Sequence, residues 1–184
     1  MILTATEVTI YSNISASVAT IIAKQLIPIA QEKVVMKLNN YFVTDLYLQG
    51  SVTFDGSTIV SEDNFDDKNF TGSDDIYIYN SYRNDGYYTL SSVDGCTLNL
   101  ASGYSVIDEL SGRSVLISVV KWPLEVKSLV AQMIAYDYDI RPKMRGLTSR
   151  SLGPLSESYG TLDEDGYPKS ITDGLSKYYI ARVF

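Results

Sequence analysis

Histidine is absent from all 184 residues, and this absence narrows the possible chemistry more than any residue that is present. Histidine is the usual general base near neutral pH and the commonest transition-metal ligand. Serine, cysteine and zinc hydrolases of the usual kinds are therefore excluded, leaving only chemistry based on carboxylates, lysine or tyrosine. Positive signs of that chemistry are also missing. The sequence shows no distinctive carboxylate pair, no lysine in an apolar motif, and neither GxxxxGK[ST] nor GxGxxG. The expectation is a protein that is not an enzyme and carries no cofactor and no metal. Cysteine occurs once, so no disulfide forms within the chain, and Cys96 alternates with Leu98 and Leu100 as a small buried core residue would. No apolar run approaches the ~18 residues a membrane span needs. The start MILTATEV lacks the basic and apolar regions of a signal peptide. Both point to a chain that folds in a reducing cytoplasm, without a membrane.

Positive charge is also scarce. The formal net charge is −7, and acids concentrate at Glu62 to Asp67, Asp74-Asp75 and Asp163 to Asp165. Such a surface does not grip phosphates, although like charge suits a wall past which DNA slides without adhering. The Glu62 to Asp67 stretch could offer oxygen ligands to calcium, but it lacks the D-x-[DN]-x-[DN]-G-x5-E pattern; a solvated loop is the plainer reading.

Periodicity divides the chain into three parts. Thr4-Ala5-Thr6-Glu7 has the form of a capping box. A long helical stretch follows from about Ser15, with Val18, Ile22, Leu26, Ile29, Leu38 and Phe42 at near-helical spacing and Pro28 placed to kink or divide it. From about Val43 to Val120 the period becomes two, punctuated by Gly50, Asp55-Gly56, Asp85-Gly86 and Asp94-Gly95. The clearest hairpin pairs Tyr87–Val93 with Thr97–Leu100 through Asp94-Gly95, and residues 75–79 make a neighbouring strand. Pro123 then opens a helix whose stripe is Trp122, Val126, Leu129, Met133, Tyr136 and Ile140, widened by Val130 and Ile134. Arg141-Pro142 stops that helix, a polar loop runs to about Tyr167, and Pro168 opens a last helix through Ile171 and Leu175. The fold class expected is α+β: a small helical bundle built from residues 1–43 and 121–184, with an antiparallel β module, barrel-like or a sandwich, inserted at 44–120.

Fifteen tyrosines exceed what a core needs. Those at Tyr77, Tyr79, Tyr82, Tyr87 and Tyr88 suit a partly wet subunit interface, and they equally suit ordinary strand propensity. Ser81 to Gly86 reads either as a binding loop presenting Arg83 or as a turn held by Asn84 and Asp85. Lys143, Arg145 and Arg150 form the one basic island, able to dock on an acidic surface or to face DNA, or simply to be solvated.

Four stretches together resemble the head-tail connector family of tailed bacteriophages, also called adaptor or head-completion proteins, in the subgroup with a β insertion between helices. They are Thr4 to Tyr11, Gly72 to Val93, Trp122 to Asp137, and a C-terminal half running from Arg145-Gly-Leu-Thr-Ser-Arg through Tyr159 to the closing tyrosine-arginine cluster at Tyr178 to Arg182. The resemblance implies a homo-oligomeric ring of about twelve subunits in the virion neck, made in the bacterial host cytoplasm. The ring lies between the portal protein and a downstream neck or tail protein, and DNA passes through its channel without specific binding. On the resemblance, portal contacts fall to Arg145, Arg150, Leu152, Tyr159, Leu175, Tyr178, Tyr179, Arg182 and Phe184. Contacts between subunits fall to Tyr77, Tyr79, Tyr82, Arg83, Tyr87 and Tyr88. Only Val183-Phe184 follows Arg182, so the closing helix or the 143–160 loop would have to replace the family's extended arm. Two rival readings are another neck or tail-completion protein and a carbohydrate- or receptor-binding module. The lone tryptophan, at a helix start, is poorly placed for a sugar platform.

Overall fold

A computed structural model describes residues 1–12, 14–18, 21–110, 112–140, 149–152, 155–158 and 161–181. The chain is α+β and divides into two compact units. One is Tyr41–Lys121 together with Met1, and the other joins Ile2–Asn40 to Trp122–Phe184.

The β unit holds six antiparallel strands: β1 (Val43–Asp55), β2 (Thr58–Ser61), β3 (Asp75–Tyr79), β4 (Gly86–Asp94), β5 (Thr97–Leu100) and β6 (Ser114–Val120). Their pairings run β1-β2-β5-β4-β3-β6 and return to β1, closing a barrel. Two bent strands make closure possible. β1 pairs with β6 over its first part and with β2 from Val52 onward, while β4 passes from β3 to β5 with a register shift between Leu90 and Ser92. Period-two alternation decides what fills the barrel. Ile76 and Ile78 of β3, and Val115, Ile117 and Val119 of β6, point inward to Leu48, Phe54, Ile59, Leu90 and Leu98. Each such buried side chain contributes about 1.5–3 kcal/mol of transfer free energy. Phe65 and Phe70, from the β2–β3 connection, plug the core edge to face with centroids 5.4 Å apart. Gly72 in that connection packs against β4, where an added Cβ would lie 2.9 Å from Ser91 O and Ser92 Cα, so no larger residue fits without moving backbone.

The β4–β5 hairpin forms, but its turn differs by one position from the expected one. Asp94 pairs with Thr97, which leaves Gly95-Cys96 as the two loop residues, with Gly95 at φ +55°. Cys96 is therefore a half-exposed turn residue and not a core thiol. Its parity matches that of Leu98 and Leu100, but the strand begins only at Thr97.

In the second unit, α1 (Ala5–Ser12) starts with the reciprocal cap anticipated. Glu7 N–H donates to Thr4 Oγ1 at 3.2 Å, and Thr4 N–H donates to Glu7 Oε2 at 2.7 Å. Pro28 does not break the helix: a π-helical segment at Ile22–Leu26 runs directly into α2 (Ile27–Leu38), which carries the proline in its first turn. Asn39, at φ +48°, ends α2. Helix α3 (Leu124–Ala135) continues as a π-helical segment, Tyr136–Ile140, and α4 (Lys169–Thr172) continues as a 3-10 turn, Asp173–Tyr178. The α3 stripe is buried at Trp122, Val126, Val130, Met133, Ile134 and Tyr136, whereas Ile140 emerges at its end. Helices α1 and α3 are tied by Lys127 Nζ to Glu7 Oε1 at 2.9 Å.

The polar stretch after α3 is not all loop. It contains a hairpin, β7 (Ser149–Leu152) with β8 (Leu155–Ser158), paired Arg150 to Glu157 and forming a sheet of its own. Serine-rich strands with no apolar alternation gave no periodic signal from which to read it. Among the described residues no helix is long and apolar enough to cross a membrane.

Candidate interaction surfaces

The barrel's outer face gathers tyrosines because the same alternation that buries Ile76 and Ile78 turns Tyr77 and Tyr79 outward. Tyr77 lies between Tyr41 and Tyr87, with ring centroids 4.6 Å and 4.8 Å away, and Tyr87 OH donates to Tyr41 O at 3.1 Å. Partial burial, with neighbouring phenols adding to it, raises the pKa of Tyr77 and of Tyr87 far above the ordinary phenol value, so both stay neutral donors. Tyr79 and Tyr82 are exposed at 57% and 69%. Tyr88 does not share this surface. It pairs with Ile76, so its ring turns to the inner face, packs against the barrel core and lies 6.0 Å from Tyr104.

The Asn80–Gly86 connection is a turn held by its own side chains and by one distant carboxylate. Asp85 Oδ1 accepts from Ser81 N–H and Oγ, each at 2.7 Å, and Asn84 N–H donates to Ser81 Oγ. Glu109 accepts from Tyr82 N–H at 3.1 Å, Arg83 N–H at 2.6 Å and Asn84 Nδ2 at 2.9 Å. Asn84 also exchanges hydrogen bonds with the backbone of Ile107, at 2.8 Å and 2.7 Å. Arg113 stacks 4.8 Å from the Tyr82 ring centroid and donates to Asn80 Oδ1 at 2.7 Å. The turn thus fixes Tyr82 and Arg83 in outward positions. Glu109 was missed in the sequence because it lies in a stretch without periodicity, and its role depends on a contact 26 residues away in the chain.

In the helical unit, Leu175 is fully buried and packs in the core, so its side chain offers no surface for a partner. Tyr178 OH donates to Glu125 Oε2 at 3.1 Å, beside Lys177, which also bonds that carboxylate. Tyr179 is 57% exposed and borders a groove of about 630 Å³ with Lys37, Asp163 and Lys169. Arg150 and Leu152 lie on β7, while Arg145, Tyr159, Arg182 and Phe184 fall outside the described residues.

The acids at Asp163 to Asp165 fold a turn and anchor α2. Asp163 Oδ1 accepts from Asp165 N–H and Tyr167 N–H, and Lys37 Nζ bridges Asp163 and Asp165 at 2.6 Å and 2.7 Å. Burial alone would raise the Asp163 pKa, but the hydrogen bonds from Lys37 and the Tyr167 backbone outweigh it and lower the value. Burial likewise opposes the charge on Lys37, and the two carboxylates overcome it and raise its pKa. A lowered carboxyl pKa contributes stability that is complete above the unfolded value of about 3.9 and is lost as pH falls through the folded one. A raised lysine pKa contributes fully below about 10.4 and is lost as pH rises through the folded value. Asp163→Asn should cost about 1–2 kcal/mol at neutral pH, and the gap from wild type should shrink as pH falls below about 4. Urea titrations at several pH values measure this, and a gap that stays constant into acid would refute it.

Along Glu62 to Asp67, Asn64 Oδ1 accepts from Asp66 N–H at 2.8 Å within the local turn, and Asp66 Oδ2 accepts at 3.1 Å from Gly95 N–H in the β4–β5 turn, 29 residues away. Among the described residues no three or more cysteines or carboxylates are grouped to hold a metal ion. No protein-family model matches the chain, and no curated protein sequence matches it.

Proposed function

We propose that this chain is a structural head-tail connector subunit. It forms a ring of about twelve copies beneath a phage portal, extends the DNA channel, and offers the docking surface for the next neck or tail protein. The observation that carries this reading is the interrupted helical unit. Ile2–Asn40 and Trp122–Phe184 form one compact unit, and the chain between them forms a separate barrel. That order is what the resemblance implies, a helical connector domain with a β insertion. The exposed Tyr79, Tyr82 and Arg83 support a subunit contact on the barrel, and Tyr179 supports a partner contact on the helical unit. The acidic chain, at −7, supports a channel that passes DNA without retaining it.

The test is native mass spectrometry of the full chain mixed with the portal protein encoded nearest to it, with the chain alone as control. Addition of about twelve copies to the portal is the expected result. A folded chain that ignores the portal at every salt concentration, and instead binds tail proteins or glycans, would transfer the assignment to a tail-completion or ligand-binding role.

A further inference from the structure

The closed barrel carries surfaces of opposite charge on opposite walls. In the order β1-β2-β5-β4-β3-β6, three places separate β1 from β4 and β2 from β3, so the β1–β2 wall stands across the barrel from the β3–β4 wall. The β3–β4 wall ends in the Asn80–Gly86 turn. Glu109 holds the backbone N–H groups of Tyr82 and Arg83 there, so both exposed side chains extend from a fixed base. Tyr82 is 69% exposed, with Arg113 stacked against its ring. Tyrosine and arginine are among the residue types that most often anchor a protein contact.

On the other wall, a groove of about 520 Å³ is bounded by β1 from Asp45 to Gln49 and by Asp63, Asp67 and Lys68 of the chain that follows β2. Asp63 Oδ2 lies against β1 at Gly50, 3.5 Å from where a Cβ would stand, and Asp67 belongs to the 3-10 turn Asp66–Lys68. The groove therefore sets three carboxylates against one ammonium, with exposed Leu46 and Tyr47 beside them. Among the described residues, neither these carboxylates nor the Arg83 guanidinium has an ion-pair partner. A guanidinium offers five N–H donors in a planar fork, which suits carboxylates approaching from more than one side.

We propose that the acidic groove of one copy receives the Tyr82-Arg83 turn of a second copy, with Arg83 entering among Asp45, Asp63 and Asp67. The contact rests on the ring reading and gives it a joint. The two surfaces differ, so each copy supplies its turn to one neighbour and its groove to the other. In a ring of about twelve, each copy is rotated by only about 30° from the last, so the two surfaces must face nearly opposite ways. The pairing order of the barrel meets that condition.

The test uses full chains in a Cys96→Ser background. A Gln49→Cys chain, marked at the groove, is mixed with a Tyr79→Cys chain, marked beside the turn, with and without portal, and treated with a short bis-maleimide. The expected result is a heterodimer at least ~10-fold above a control pair in which Leu124→Cys, at an exposed helical site, replaces Tyr79→Cys. Arg83→Glu in the Tyr79→Cys chain should lower the yield at least ~10-fold, and Asp63→Lys with Asp67→Lys in the Gln49→Cys chain should then restore it to within ~3-fold of the starting value. Restoration by the paired reversal separates a lost contact from a lost fold. Rings that form while the heterodimer stays at the control level, or a heterodimer indifferent to both reversals, would overturn this contact and leave the connector reading standing. Linkage of Gln49→Cys to the portal instead would give the groove to that partner and overturn the contact equally. A charge-dependent heterodimer in a chain that ignores the portal would keep the contact and overturn the connector reading. A chain that remains monomeric with and without portal would remove the ring and this joint together.

Discussion

Replacing Tyr167 with alanine should lower the stability of the helical unit by about 3–5 kcal/mol, the range for removing a large buried aromatic. Tyr167 is fully buried although it belongs to a stretch of polar sequence. Its ring lies 6.0 Å from that of Tyr136 and under the Lys33 ammonium, 5.0 Å from the centroid. Its hydroxyl accepts from Lys33 Nζ at 2.8 Å and donates to Asp137 Oδ2 at 2.5 Å. One side chain thus ties the acidic turn to α2 and to the end of α3. Tyr167→Phe keeps the ring and removes only the hydroxyl bridge, so it should cost about 1–3 kcal/mol. Urea denaturation followed by circular dichroism gives the totals, and amide exchange assigns the loss to helical rather than barrel amides. A Tyr167→Ala protein as stable as wild type would show that the turn does not anchor the unit.

The second large effect is expected at Glu109. Its carboxylate accepts three hydrogen bonds from the Asn80–Gly86 turn, two of them from backbone N–H groups. Hydrogen bonds to a charged acceptor contribute about 1.5–3 kcal/mol each, and three on one carboxylate are not additive, so Glu109→Ala should cost about 3 kcal/mol. At 1.4 kcal/mol per tenfold, exchange of the Tyr82 and Arg83 amides should accelerate by about 100-fold. Glu109→Gln, which keeps one acceptor oxygen, should fall between the two. Because the clamp fixes Tyr82 and Arg83 on the barrel surface, the same variants should, on the proposed connector function, weaken ring assembly more than they weaken the barrel core. Unchanged amide exchange at residues 82 and 83 in Glu109→Ala would mean that the turn holds itself through Asp85 and Asn84 alone.

The distribution of these effects follows from which physical signals are local in the sequence. Alternation at Asp75–Tyr79 and the Thr4 to Glu7 cap are local, and both elements lie where the residues indicate. The α3 stripe was equally legible, since helical spacing places Val126, Val130 and Met133 on one buried face whatever else surrounds them. The hairpin at 87–100 was legible too, but its turn was not, because glycine at the first loop position and glycine at the second give nearly the same pattern. Which of Tyr87 and Tyr88 faces outward was not legible for a related reason: a run of two tyrosines places one on each side, and only the pairing with Ile76 decides which.

By itself, then, the sequence determined the division into helical and β regions, the buried faces of β3 and α3, and the absence of histidine chemistry. These depend on periodicity and composition, which a chain carries before it folds. Only the tertiary structure decided that six strands close on one another, that Glu109 holds a turn 26 residues away, that Tyr167 is a core residue, and that β1 changes partner from β6 to β2 along its length. Each of these depends on which segments meet across long separations, and no local pattern of side chains encodes where a neighbouring strand stops.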